Sequence, residues 1–185
     1  MTVATIKQMM GPSTGSHAIQ TFNMEIDLGK HKYFYITLNT NNDEQRIELC
    51  TRPEGKSIRL CAVQTKMLLD GLDIIDNGAT IAWEHLDAEA KHEYQYHLGF
   101  GVNLTLSLFR NSRFYDIRRW WIPPNQTNAV ATRTGITLNT DQAKLIREAR
   151  DKIIQTVPEL EEIGPCECWL ENSYINCRRC NPHKY

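Results

Sequence analysis

The chain has 185 residues, 41% of them apolar and 23% charged, with a formal net charge of -1. This composition excludes collagen-like, mucin-like and wholly disordered classes and allows one compact domain or two small ones. No apolar run reaches the roughly 18 residues of a membrane-spanning helix, and a whole-chain basic field for nucleic acid is absent.

Residues 1–20 are rich in Gly, Ser and Thr and are expected to be flexible. They show no basic start followed by an apolar stretch, so no secretory signal is expected. Six cysteines then point to a reducing compartment, where thiols stay free or bind metal. Residues 21–78 read as strands followed by a helix. Phe34, Ile36 and Leu38 alternate with Tyr33, Tyr35, Thr37 and Asn39, the period of a sheet with one buried and one open face. Asn41 to Glu44 is a turn signal. A helix is expected from about Ala62, with Gly71 ending or kinking it. Residues 79–91 read as a linking helix.

Residues 92–158 repeat that order. Leu104, Leu106 and Leu108 face one way and Asn103, Thr105, Ser107 and Phe109 the other. Asn111-Ser112 turns the chain into a strand from Phe114 to Trp121, which Pro123-Pro124 ends. The next helix should open at Asn139 or Thr140, with Gln142 near capping-box spacing. Gln142, Leu145, Ile146, Ala149, Ile153, Ile154 and Val157 follow helical spacing up to Pro158. Residues 159–185 form a Cys-rich tail.

Self-similarity supports the division. Leu28-Gly29 and the strand after it align with Leu98-Gly99 at an offset of 70, which places Ile47 on Ile117. Ser57 to Leu60 aligns with Gly135 to Leu138 and Gln64 with Gln142 at an offset of 78, so the second copy has eight extra residues in the loop 122–133. Each copy alone has a small core. Two copies packed helix to helix would share one, as an intramolecular pseudo-dimer.

Charge is unevenly placed. Residues 1–99 carry 9 basic and 13 acidic side chains, whereas residues 100–150 carry 8 and 3. The basic stripe, with Arg110, Arg113, Arg118, Arg119 and Arg133, could bind phosphate on a neutral protein; the bland alternative is a solvated sheet face.

The run Phe114-Tyr115-Asp116-Ile117-Arg118-Arg119-Trp120-Trp121, a Pro-containing loop, then Arg133-Thr134-Gly135-Ile136-Thr137-Leu138-Asn139-Thr140-Asp141-Gln142 resembles the positive-cofactor-four family. These are transcriptional coactivators that bind single-stranded DNA. The resemblance covers roughly 60 residues in the second copy and about 50, more weakly, in the first. It implies an α+β chain of two tandem modules, each a curved four-stranded antiparallel sheet followed by a helix, paired through their helices. It implies Phe109, Arg110, Arg118 and Trp121 as binding residues of the second copy. The corresponding first-copy positions read Asn39, Thr40, Glu48 and Thr51, but that copy keeps the family's entry to the second strand as Lys30, Lys32 and Tyr33. One composite site, or one strong and one weak site, is therefore expected.

The residue types suit the task independently. An aromatic ring on a polar face can stack on an unpaired base, and arginines can pair with phosphates. Strict alternation puts Arg118 with Phe114 and Trp120, so a Trp121 contact requires a bulge or twist near the strand end; the alternative is that Trp120 and Trp121 cap the core.

In the tail, Cys166, Cys168, Cys177 and Cys180 form two close pairs suited to a tetrahedral zinc site, with disulfides or free thiols as the alternative. Cys50 and Cys61 read as buried thiols. His85, His92 and His97 lie near glutamates without a metal or acid–base spacing. The lead expectation is a non-enzymatic protein binding single-stranded DNA or RNA in transcription or replication, in a nuclear or viral replication compartment. The rival is an adaptor for transcription machinery, and the third reading is a structural component of a large DNA virus. Further self-association is left open.

Overall fold

The computed structural model describes residues 6–10, 21–39, 44–52, 55–83, 92–109 and 112–165. It is α+β, with two antiparallel sheets and three helices. The first sheet contains β1 (Ile6–Met10), β2 (Thr21–Asp27), β3 (Lys32–Asn39), β4 (Glu44–Thr51) and β5 (Ser57–Leu60), in that order. Helix α1 (Ala62–Trp83) leads to the second sheet: β6 (His92–Gly99), β7 (Val102–Phe109), β8 (Ser112–Trp121) and β9 (Val130–Asn139). Helices α2 (Thr140–Glu148) and α3 (Arg150–Thr156) follow, then a 3-10 turn at Pro158–Leu160.

Four expectations change. Within the stretch read as flexible, Ile6–Met10 is paired with β2, so the first sheet has five strands. The β8–β9 connection is 122–129, because residues 130–133 already belong to β9. The second helix is two helices meeting at Ala149. Gly71 does not end α1, and residues 79–83 continue that helix, residues 84–91 of the expected linking helix lying outside the described residues. The physical role of Gly71 is close approach. A β-carbon there would lie 2.5 Å from the ring of Tyr96 on β6. Tyr96 is buried against α1, and burial pushes its phenol up to about 12.

The strand registers repeat. Met24 faces Ile36 and Ile26 faces Phe34 in the first sheet; Tyr94 faces Leu106 and Tyr96 faces Leu104 in the second, all at an offset of 70. The next strands differ. Phe34 faces Leu49 where Leu104 faces Ile117, so β4 corresponds to β8 at an offset of 68. The connection before β8 is two residues shorter. Ile47 therefore corresponds to Tyr115, and the first-sheet counterpart of Arg118 is Cys50, with Glu48 matching Asp116.

The β2–β3 and β6–β7 hairpins turn through the same left-handed run. Gly29, Lys30 and His31 all have positive φ, as do Gly99, Phe100 and Gly101. Such a run is strained for residues with a β-carbon and explains the glycines that begin each turn.

One contiguous apolar core takes residues from both sheets and all three helices, among them Phe34, Ile36, Leu68, Leu72, Leu104, Ile117, Ile146 and Ile153. Burying each such side chain contributes about 1.5–3 kcal/mol. The stripe Leu68, Leu69, Leu72, Ile75 and Ala79 faces that core at helical spacing. An acidic stripe beside it clasps α2, α3 and β8. Arg150 pairs with Asp70 at 3.2 Å, and Asp76 receives Arg113 at 2.9 Å, the Tyr115 hydroxyl at 2.6 Å, and Arg147. Arg147 Nε lies 3.0 Å from Asp73, close enough for an ion pair but off-line for a hydrogen bond. The capping box expected at α2 is present, with Asn139 accepting from the Gln142 amide and the Gln142 side chain accepting from Asn139.

Candidate functional site

Alternation on β6–β9 presents one polar face. Its cross-strand rows are His97, Asn103, Arg118 and Gly135; then Gln95, Thr105, Asp116 and Thr137; then Glu93, Ser107, Phe114 and Asn139. The face is not open throughout, as alternation alone suggests. Along β7, Asn103 and Thr105 are buried, Ser107 is half-buried and Phe109 is exposed. Phe109 and Phe114 are diagonal cross-strand neighbours, 43% and 42% exposed. Both rings stand exposed on this polar face. Phe109 was legible in the sequence. Alternation puts Phe114 on the Arg118 face, and only the register reveals that it neighbours Phe109.

Behind the rings lies a polar knot. Arg118 donates from Nε to Asp116 at 2.6 Å, from Nη2 to the other carboxylate oxygen at 2.8 Å, and from Nη1 to the Thr132 carbonyl at 2.9 Å. Thr137 donates its hydroxyl to the same carboxylate at 2.7 Å. The hydrogen bonds that Arg118 donates to Asp116 hold its pKa above the ordinary value. The Arg118 side chain is only 18% exposed. The resemblance implies an arginine offered to phosphate; here it is occupied by a carboxylate. Thr105, opposite Asp116, has a buried hydroxyl with no hydrogen-bond partner among the described residues.

The expected irregularity near the strand end occurs, but on β9. Arg118 faces Gly135 and Trp120 faces Ala131, so Thr132 to Thr134 bulge opposite Arg119. Gly135 permits it: a β-carbon there would lie 2.7 Å from the Ile117 carbonyl. Trp121 is exposed and faces Val130, also exposed, across the strands. It does not cap the core. Trp120 is half-buried, and its indole N–H is buried with no partner among the described residues.

The first sheet's corresponding face has different chemistry. Tyr33 and Tyr35 have ring centroids 6.1 Å apart, and the Arg52 guanidinium lies 5.2 Å and 4.4 Å over them. Glu25 accepts from the Tyr35 hydroxyl and lies 3.6 Å from Arg52. Lys32 is not presented on this face. Its ammonium donates to the Thr137 carbonyl and, at 3.2 Å, to Gln142 Oε1, joining the two halves. Burial and the nearby Lys30 lower its pKa. Lys30 is exposed in the left-handed turn. The predicted set is therefore split: Phe109, Trp121, Lys30 and Tyr33 lie at or near the surface, while Arg118 and Lys32 are engaged internally.

Part of the basic stripe, and the basic residues of α2 and α3, are paired in the same way. Arg113, Arg118, Lys144, Arg147 and Arg150 each pair with a carboxylate. Arg119 and Arg133 are exposed. Arg110 and the tail cysteines Cys166, Cys168, Cys177 and Cys180 lie outside the described residues. Cys61, read as buried, is exposed beside the start of α1, and Cys50 is half-buried. His97 Nδ1 lies 2.7 Å from Asn103 Oδ1, and burial lowers its pKa. No helix among the described residues is long and apolar enough to cross a membrane. Comparison with protein families, with curated proteins and with solved structures found no match to this chain.

Proposed function

We propose that this chain is a single-stranded nucleic-acid-binding protein of positive-cofactor-four type, carrying two tandem modules as a pseudo-dimer within one chain and acting in transcription or replication. The observation that carries the binding reading is the pair Phe109 and Phe114, exposed side by side on an otherwise polar sheet face. Rings in that setting offer a stacking platform to unpaired bases, each stack being worth about 1–3 kcal/mol, and duplex DNA keeps its bases out of their reach. The repeated registers, the repeated left-handed turns and the shared core support the tandem reading. The second sheet is the stronger face. The first sheet has Tyr33 and Tyr35 but covers them with Arg52.

The test is fluorescence anisotropy with labelled oligothymidylate and a labelled duplex of the same length. Saturable binding to the single strand, lost in Phe109→Ala with Phe114→Ala, is expected. Absence of binding to the single strand by the wild-type chain overturns the reading and favours the protein adaptor.

A further inference from the structure

On the reading above, we infer that Asp116 is a specificity-determining residue: it holds Arg118 neutralised, so that the second sheet selects unpaired bases and rejects polyanions that offer only phosphate. Three of the five N–H donors of Arg118 are used within the sheet, two of them on the Asp116 carboxylate. The carboxylate occupies the bidentate position that a phosphate would take. Thr137, on the neighbouring strand, donates to that carboxylate and holds it on the sheet.

A ligand that offers only phosphate must therefore separate a formed, partly covered ion pair before it gains anything. A ligand with free bases gains stacking on Phe109 and Phe114 without disturbing the pair. The other charges on the rows of this face do not change the balance: Glu93 is acidic, and His97 has its pKa lowered and lies against Asn103. The face thus contributes little net positive charge where the sequence alone reads as basic.

The experiment measures oligothymidylate, duplex DNA and heparin binding by the full chain across a salt series, for wild type and Asp116→Asn. The amide keeps an acceptor for Thr137 and removes the charge. It is expected to free Arg118 for one phosphate contact, steepening the single-strand salt slope by about 0.7, a further loss of roughly threefold in affinity between 50 and 200 mM salt. Duplex and heparin binding should appear or strengthen in the variant. The charge-balanced variant Asp116→Asn with Arg118→Gln should return all three ligands to wild-type behaviour.

Wild-type binding to the single strand that Asp116→Asn leaves unchanged in slope, with no gain for duplex or heparin, overturns this inference and leaves the binding reading intact. No single-strand binding by either protein overturns both. A gain that persists in the charge-balanced variant also overturns the inference, since the gain would not depend on Arg118. Should Asp116→Asn fail to fold by circular dichroism, Thr137→Val tests the same hold. By removing the donor that anchors Asp116, it should steepen the slope in the same direction, and an unchanged slope overturns the inference.

Discussion

The side-chain amide of Gln64 donates to the Gly99 carbonyl at 3.0 Å, and the side-chain amide of Gln142 donates to the Gly29 carbonyl at the same distance. The two contacts are reciprocal. Each glutamine stands at the start of its helix and reaches the left-handed turn of the other sheet. Each also caps its own helix, Gln64 Oε1 accepting from the Cys61 amide and Gln142 Oε1 from the Asn139 amide. Each helix start is thereby tied to the sheet that the other helix follows.

Both glutamines are buried, so truncation leaves an acceptor and a donor without partners. Gln64→Ala and Gln142→Ala should each destabilise the chain by about 1–3 kcal/mol. Urea unfolding followed by circular dichroism measures this. If one variant is neutral while the other is costly, the two contacts are not equivalent.

Gly71→Ala should cost about 1–3 kcal/mol through overpacking against Tyr96. The ring, carried by β6, is buried, and its nearest carbons would lie 2.5 Å from the added methyl. Combining it with Tyr96→Leu should recover part of that loss, measured as a double-mutant cycle by thermal unfolding. Additive costs would show that the ring is not the obstacle.

Phe109→Ala and Phe114→Ala should each weaken oligothymidylate binding by about 1–3 kcal/mol. Both rings are more than two-fifths exposed, so stability should change little. Anisotropy titration paired with thermal melts separates the effects. A large loss of stability in either variant would assign that ring to folding.

The pH range of stability should be bounded by His97 and Tyr96. Burial lowers the His97 pKa below 6.5, so the unfolded chain binds this proton first. The contribution of His97 is complete above about 6.5 and lost as the pH falls below it. The Tyr96 phenol is raised from 10.0 to about 12, so its contribution is complete below 10 and is lost as the pH rises from 10 toward 12. Urea midpoints across pH should fall at both ends. His97→Asn should flatten the acid limb and Tyr96→Phe the alkaline limb.

By itself, the sequence determined an α+β chain with strands leading into helices, the second sheet's inward leucines, the α2 capping box and the polar-face position of Phe109. Those follow from period-two alternation and local capping, which depend only on neighbours in the chain. It also showed the Leu28-Gly29 and Leu98-Gly99 pairs, which lead into turns of the same positive-φ form. It did not show β1 or the break at Ala149. The tertiary structure decided the rest. It set β4 against β8 at an offset of 68, because a two-residue difference in one connection shifts the alignment without disturbing the apolar pattern. It used Gly71 for close packing, which no local signal separates from a helix stop. Above all, it determined which charges are available. Arg118, Arg147, Arg150 and Lys32 read alike in a composition count. Only folding brings Asp116, Asp73, Asp76, Asp70 and the Thr137 carbonyl to them. Pairing of charges is a short-range property of three-dimensional neighbours, and these partners lie as far as 105 residues apart in the chain.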